Sequence, residues 1–250
     1  MIRFYNTVTP SPEQWKMIIM GTRNPMNSWD RYDSYEDWSE HKEGFKIGPN
    51  DYKLLSSLAK AGPDHRKFMR MITVYVDIDA PLYWWKEFDT YKIGSVTNSC
   101  STMHKIHAKE FSIVDFSCEH LLSFGVDVDA RENIPLIDVN PFTSDSKGYP
   151  YCLEEEAMFV SPGYLMTHIV NMLNMCREKY LETKDKKYWW QMIQLLPSSY
   201  DQTRTVMLNY EVLRNMYHAR KAHKLDEWRD FCEWIKELPY SEFITGEAEK

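Results

Sequence analysis

ITVYVDIDAPLYWWKEFDTYKIGSVTNSCSTMH, residues 72–104, sets out a strand, then a short helix, then a stretch with no period. Ile72, Val74, Val76 and Ile78 alternate with Thr73, Tyr75, Asp77 and Asp79, the two-residue period of a strand with one buried face. Pro81 suits the first turn of a helix running through Phe88, because its missing N–H is one that a helix start leaves unpaired. Gly94 ends that regular structure. From Ala80 to His104 the chain concentrates aromatics, acids, lysines and small hydroxyl and thiol side chains in one turn-rich segment. Such a segment is suited to holding a ligand.

Upstream, residues 11–21 form a helix with Ser11 as N-cap, Pro12 at the first position, Gln14 closing a capping box and Gly21 as the stop. The run TRNPMNSWDRYDSYED that follows, with Arg23, Asn24, Asn27 and Arg31, reads as a solvated loop. A second helix runs from Asp51 to Ala61, capped by Asn50 and ended by Gly62 and Pro63. Downstream, turn formers crowd residues 127–163, among them Pro135, Asn140, Pro141, Gly148 and Pro150, interrupted by Ile134, Leu136, Ile137 and Phe142. This predicts a loop-rich insertion inside a single domain spanning residues 1–250.

Helical spacing dominates the remainder. Leu165, Ile169, Leu173 and Cys176 make one stripe, Val206, Leu213 and Met216 a second, and Leu225, Trp228, Cys232 and Ile235 a third. The expected class is mixed α/β: one central sheet with packed helices, more helix than strand.

With 43% hydrophobic residues, the 250-residue chain can bury a substantial core. A net charge of -7 argues against non-specific coating of nucleic acid, which draws on a surplus of Lys and Arg. A single anionic nucleotide in a local basic pocket is compatible with it. The five cysteines lack CxxC spacing and read as reduced thiols of a cytoplasmic protein. No apolar run is long enough for a membrane span, and the first residues lack the features of a signal peptide.

Several side chains are candidates for chemistry. His65 lies in a loop among Asp64, Arg66, Lys67 and Arg70, neighbours that tune an imidazole for binding or proton transfer. Cys100, between Ser99 and Ser101, reads either as a nucleophile of lowered pKa or as a packed thiol without a role. Cys118 and His120 lack two further ligands at compatible spacing, so no metal site is expected. GxSxG, Walker A, GxGxxG and HExxH patterns are absent. Late in the chain, Asn209, Leu213, Met216, Tyr217 and Arg220 fall on neighbouring turns of one helix, offering an amide and a guanidinium to one extended ligand.

Taken in order, these residues resemble the flavin-dependent thymidylate synthases. That family begins with a histidine-bearing loop and a strand, matched by DHRKFMRMITVYVDIDAP at residues 64–81. Its Arg-Gln-Trp helix corresponds to Lys86, Glu87 and Phe88, and its Arg-His-Arg to Thr90, Tyr91 and Lys92. Ser95 follows, and Cys100, Ser101, Thr102 and Met103 stand in the place of Ser-Gly-Arg-Tyr. Leu196 and Pro197, Asn209, Arg220 and Trp228 match the closing Leu-Pro, the helix asparagine, the late arginine and a tryptophan.

The resemblance covers about residues 50–235 apart from the insertion. It implies a homo-oligomer, a tetramer with sites between subunits. His65, Tyr91, Lys92, Ser95 and Asn209 are the implied FAD-binding residues. Glu87, Cys100 and Arg220 are the implied substrate-binding residues, for a pyrimidine nucleotide such as dUMP, and Cys100 is the candidate catalytic residue. An active member would use NADPH and a folate donor for reductive one-carbon transfer. The family's guanidiniums, however, are replaced by Thr90, Lys92, Thr102 and Ile193. Each bidentate arginine–phosphate contact contributes roughly 1.5–3 kcal/mol, so two losses weaken uridylate binding by about two to four decades. A non-catalytic nucleotide-binding or interaction protein on the same scaffold is therefore the alternative expectation.

Overall fold

The computed structural model describes residues 1–37, 44–121, 139–144, 150–152 and 162–246. Its strands are β1 (Arg3–Val8), β2 (Tyr35–Asp37), β3 (Gly44–Lys46), β4 (Thr73–Pro81), β5 (Ser95–Ser99), β6 (Val139–Ser144), β7 (Pro150–Cys152) and β8 (Asp201–Asn209). Its helices are α1 (Pro12–Arg23), α2 (Pro49–Lys60), α3 (Leu82–Phe88), α4 (Pro162–Thr183), α5 (Lys186–Leu195), α6 (Tyr210–Arg220), α7 (Asp226–Lys236) and α8 (Glu242–Thr245). This is the expected mixed α/β class. Two compact units emerge, one of Met1–Cys100 with Ser198–Lys250 and one of Ser101–Pro197.

In the first unit a four-stranded sheet runs in the order β1, β4, β8, β5 with every pair antiparallel. Val74, Val76, Ile78 and Ala80 on β4 and Val206 and Leu208 on β8 are fully buried. The alternate residues Tyr75, Thr203 and Thr205 face solvent, as the two-residue period of a strand requires. Helices α1, α2, α3, α6, α7 and α8, with Phe68 and Met69 ahead of β4, supply most of the rest of that core. Its centre is aromatic: Trp84 lies 4.8 Å from Trp228 and 5.6 Å from Phe231 between ring centroids.

The expected β4 and α3 are present, with Pro81 at the N-cap position of α3 while still in the strand. The capping box of Ser11 and Gln14 is formed, but α1 passes through Gly21 and ends at Asn24. Helix α2 starts before the expected Asn50, at Pro49, with Gly48 as N-cap. Its cap comes from a distant side chain: Asp33 accepts from the amides of Asn50 (2.9 Å) and Asp51 (3.1 Å). A Cβ on Gly48 would stand 2.3 Å from the Asp33 carbonyl oxygen, so the approach requires glycine.

Burial pushes the Asp33 carboxyl up, but the Asn50 and Asp51 amides and nearby Arg23 outweigh it and hold it below the usual range. A depressed folded pKa means the stabilisation is complete above the unfolded value, about pH 4, and is lost as pH falls through the folded value. Asp33→Asn should therefore flatten the acid limb of stability. The urea midpoint measured against pH below about 4 should fall less steeply than that of the wild type; equal slopes would refute this role.

Three expectations are corrected. Val206 belongs to strand β8 and not to the helical stripe of Leu213 and Met216. Its strand was hidden because Gln202 and Arg204 occupy inward positions where an apolar period was sought. On α4 the buried stripe is Met166, Val170, Leu173 and Cys176, whereas Leu165 is 53% exposed. Arg23, read as part of a solvated loop, is 3% exposed and ion-paired to Asp51.

In the second unit, Asn174 of α4 clamps the backbone of Phe111, donating to its carbonyl and accepting from its amide at 2.8 Å each. Arg177 donates to the His107 carbonyl at 3.0 Å. These bonds tie the irregular stretch after Ser101 to the helix. Much of the expected insertion at 127–163 lies outside the described residues; within it β6 and β7 form an antiparallel pair.

Candidate functional site

Helix α3 is only seven residues long, and its inward face, Trp84, Trp85 and Phe88, is buried. Glu87 consequently projects from the other side, its side chain 36% exposed. The chain turns at Asp89, where Arg204 of β8 stacks 4.2 Å over the Trp85 ring and donates to Asp89 at 2.7 Å and to Gln202 at 2.9 Å. That guanidinium fixes the start of the loop Thr90–Gly94. At its end, Gly94 adopts φ +84°, and an added Cβ would stand 2.6 Å from Asn209 Nδ2. The Asn209 backbone N–H donates to the Gly94 carbonyl at 3.1 Å. Ser95 donates its hydroxyl to the Tyr91 carbonyl, closing the turn on itself.

The other wall is α6. Asn209 is its N-cap, Oδ1 accepting from the Val212 amide at 2.9 Å. Arg220, its last residue, reaches back to the α3 loop: Nε donates to the Tyr91 hydroxyl at 2.9 Å and Nη1 to Glu87 Oε2 at 2.8 Å. The same carboxylate oxygen accepts from Trp228 Nε1 at 2.9 Å and faces His223 Nε2 at 3.6 Å. Because the Leu225 amide donates to His223 Nδ1 at 3.2 Å, the proton of the neutral imidazole sits on Nε2, facing Glu87. The Arg220 guanidinium also lies over the rings of Trp228 at 4.7 Å and Tyr91 at 5.6 Å.

The structure thus brings together Glu87, Tyr91 and Arg220 by direct contact, and Ser95 and Asn209 through Tyr91 and Gly94. Lys92 is exposed beside them and makes no ion pair among the described residues. His65 is exposed after α2, its side chain bonded to none of these groups; its neighbour Arg66 is held by Glu211 on the first turn of α6 at 2.9 Å. Cys100 is also exposed, at the end of β5. Its backbone pairs with Thr203 and Gln202, and no base contacts its thiol among the described residues. Sequence reasoning missed His223 and Arg204. Each lies in a polar run, RKAHK at 220–224 and DQTRT at 201–205, that does not single it out, and only the fold places it against Glu87 or Trp85.

The donor set suits a polar ligand with an anionic part. Asn209 commits Oδ1 to its helix and leaves Nδ2 without a partner among the described residues, although the residue is half-buried. With exposed Lys92 and the Gly94 turn, that amide forms a cradle chemically compatible with a flavin's polar edge and phosphates. Among the described residues no group of three or more His, Cys, Asp or Glu side chains is arranged to hold a metal ion, and no helix is long and apolar enough to cross a membrane.

Neither a family model nor a curated protein sequence matches the chain. Solved structures do. One is Thymidylate Synthase X from Helicobacter pylori with FAD and dUMP, at 15% identity and TM-score 0.56, with 98% of this chain and 97% of that chain covered. Another structure of the flavin-dependent enzyme from Helicobacter pylori, complexed with FAD and dUMP, gives 15% identity, TM-score 0.58 and 99% coverage of both chains. A UMP/dUMP methylase PolB from Streptomyces cacaoi, bound with 5-Br dUMP, gives 14% identity, TM-score 0.54 and coverage of 98% and 94%. At these identities the likeness shows the fold.

Proposed function

We propose that the protein binds a uracil nucleotide together with FAD at the apposed α3 loop and α6, as a homo-oligomer, and transfers a one-carbon unit to the pyrimidine reductively. The observation that carries this reading is that loop and helix are joined at both ends, Gly94 to Asn209 and Tyr91 to Arg220. Residues distant in sequence thereby line one rim on a scaffold whose solved neighbours hold FAD and dUMP.

In this reading Asn209 Nδ2, Lys92 and Ser95 hold the flavin, with His65 joining from its exposed loop. Glu87 and Arg220 face the nucleotide. The bound flavin, reduced by NADPH, supplies the hydride-transfer chemistry, and a folate supplies the carbon. The residues of this chain bind, orient and exclude water. Cys100, without a contacting base among the described residues, is assigned no step.

A second reading, a nucleotide binder without catalysis, is favoured by the neutralisation of Arg220 by Glu87. Mass spectrometry of what leaves the purified protein on denaturation, followed by FAD titration, separates the two. Flavin released or taken up supports the enzyme; a colourless protein that binds nucleotide and takes up no flavin supports the binder. The sharper variant is Asn209→Asp, which preserves the N-cap acceptor and removes the Nδ2 donor. FAD affinity should fall about tenfold at unchanged Tm, and unchanged affinity would remove Asn209 from the flavin site.

A further inference from the structure

We propose that Glu87 is the specificity-determining residue of this site: a resident carboxylate that takes the place of a ligand phosphate on Arg220, so that the site draws no advantage from the 5′-phosphate of a nucleotide over the uncharged nucleoside. The inference rests on the reading above and deepens it.

Three observations converge on the carboxylate. Oε2 accepts from Arg220 Nη1 and from Trp228 Nε1, and His223 Nε2 faces it. The guanidinium is therefore matched by one full negative charge within hydrogen-bond distance. The Arg220–Glu87 pair carries no net charge where a phosphate-binding arginine would present a free cation. An arriving dianion must displace Glu87 to take its place on Nη1, and meets a like charge if it binds any other N–H of the guanidinium.

Displacement is opposed from the core side. Trp228 is fully buried, and its indole N–H has Glu87 as its acceptor, so moving the carboxylate away strands a buried donor. Glu87 Oε2 is thus held at once by an indole of the hydrophobic core and by the arginine. This separates it from the exposed pairs on the surface of the same unit, such as Lys236 with Glu233, whose side chains are 41% and 67% exposed. Glutamine is the informative replacement. It retains an acceptor for the indole and removes only the charge.

The test is calorimetric titration of the wild type, Glu87→Gln and Glu233→Gln with deoxyuridine, dUMP and inorganic phosphate. Wild-type affinities for deoxyuridine and dUMP should agree within about threefold, while Glu87→Gln should tighten dUMP and phosphate by about tenfold or more and leave deoxyuridine unchanged. Glu233→Gln, which alters net charge equally, should change none of them. A wild type preferring dUMP by more than about tenfold overturns the proposal, and that comparison needs no variant to fold. It is overturned too if folded Glu87→Gln gains nothing for dUMP and phosphate, or if Glu233→Gln gains as much. Failure of every uracil ligand in every variant would defeat the proposed function. In that case a gain of inorganic phosphate binding confined to Glu87→Gln still upholds the role of Glu87, and its absence ends it.

Discussion

Asp51→Ala is expected to destabilise the protein by about 3–5 kcal/mol, because removing one partner of a buried ion pair leaves the other charge uncompensated. Arg23 and Asp51 are 3% and 0% exposed and stand 2.5 Å apart. Oδ1 takes the guanidinium; Oδ2 accepts from the amides of Asp33 and Ser34, both at 3.0 Å, and from the Ser34 hydroxyl at 2.6 Å. Arg23 directs its remaining hydrogens to the carbonyls of Ser28 (3.1 Å) and Arg31 (2.9 Å). One pair therefore ties residues 28–34 to α1 and α2, and every side-chain nitrogen and oxygen of the pair has a partner.

Urea denaturation is the measurement, and the midpoint should fall with little change in slope. Replacing both partners by apolar residues of similar volume should recover much of the loss, since the cost lies in the orphaned charge and not in the lost attraction. A single-mutant loss below about 1 kcal/mol would mean that the pair behaves as an exposed one.

That network marks where sequence reading stops. A capping box is local, so Ser11 and Gln14 announced α1, and an alternating apolar run announced β4. Arg23, by contrast, looks like any loop cation until the fold buries it against a residue 28 positions away. Strand β5, SVTNS, gave no period because it is an edge strand whose side chains are mostly exposed. Strand β8 gave a broken one because Gln202 and Arg204, on its inward side, satisfy their polar ends against Cys100 and Asp89. For the site, the order of residues along the chain was legible and the contacts were not. Glu87 and Tyr91 meet Arg220 across 133 and 129 positions, a relation no spacing rule contains. The neutralising contact, which bears most directly on the choice of ligand, depends on which way two long side chains turn.

Trp228→Ala should cost about 3–5 kcal/mol as a large-to-small change in a packed core, and the loss should reach the site as well as the fold. The indole is fully buried among Trp84, Phe231 and Tyr91, at centroid distances of 4.8, 5.7 and 6.1 Å. It also carries Arg220 on its face and Glu87 on its N–H. Trp228→Phe divides these roles by keeping most of the apolar packing and removing the donor. Its expected cost is the loss of a hydrogen bond to a charged acceptor, roughly 1.5–3 kcal/mol.

A double-mutant cycle of Trp228→Phe with Glu87→Gln, read by urea denaturation, then tests whether indole and carboxylate act as a unit. A coupling of about 0.5 kcal/mol or more identifies one cluster, whereas additivity within about 0.3 kcal/mol identifies two independent features. The coupled outcome has a consequence for binding. If the carboxylate is held by the core, its geometry is set on folding, before any ligand arrives, and the pairing of Arg220 with Glu87 is a property of the fold.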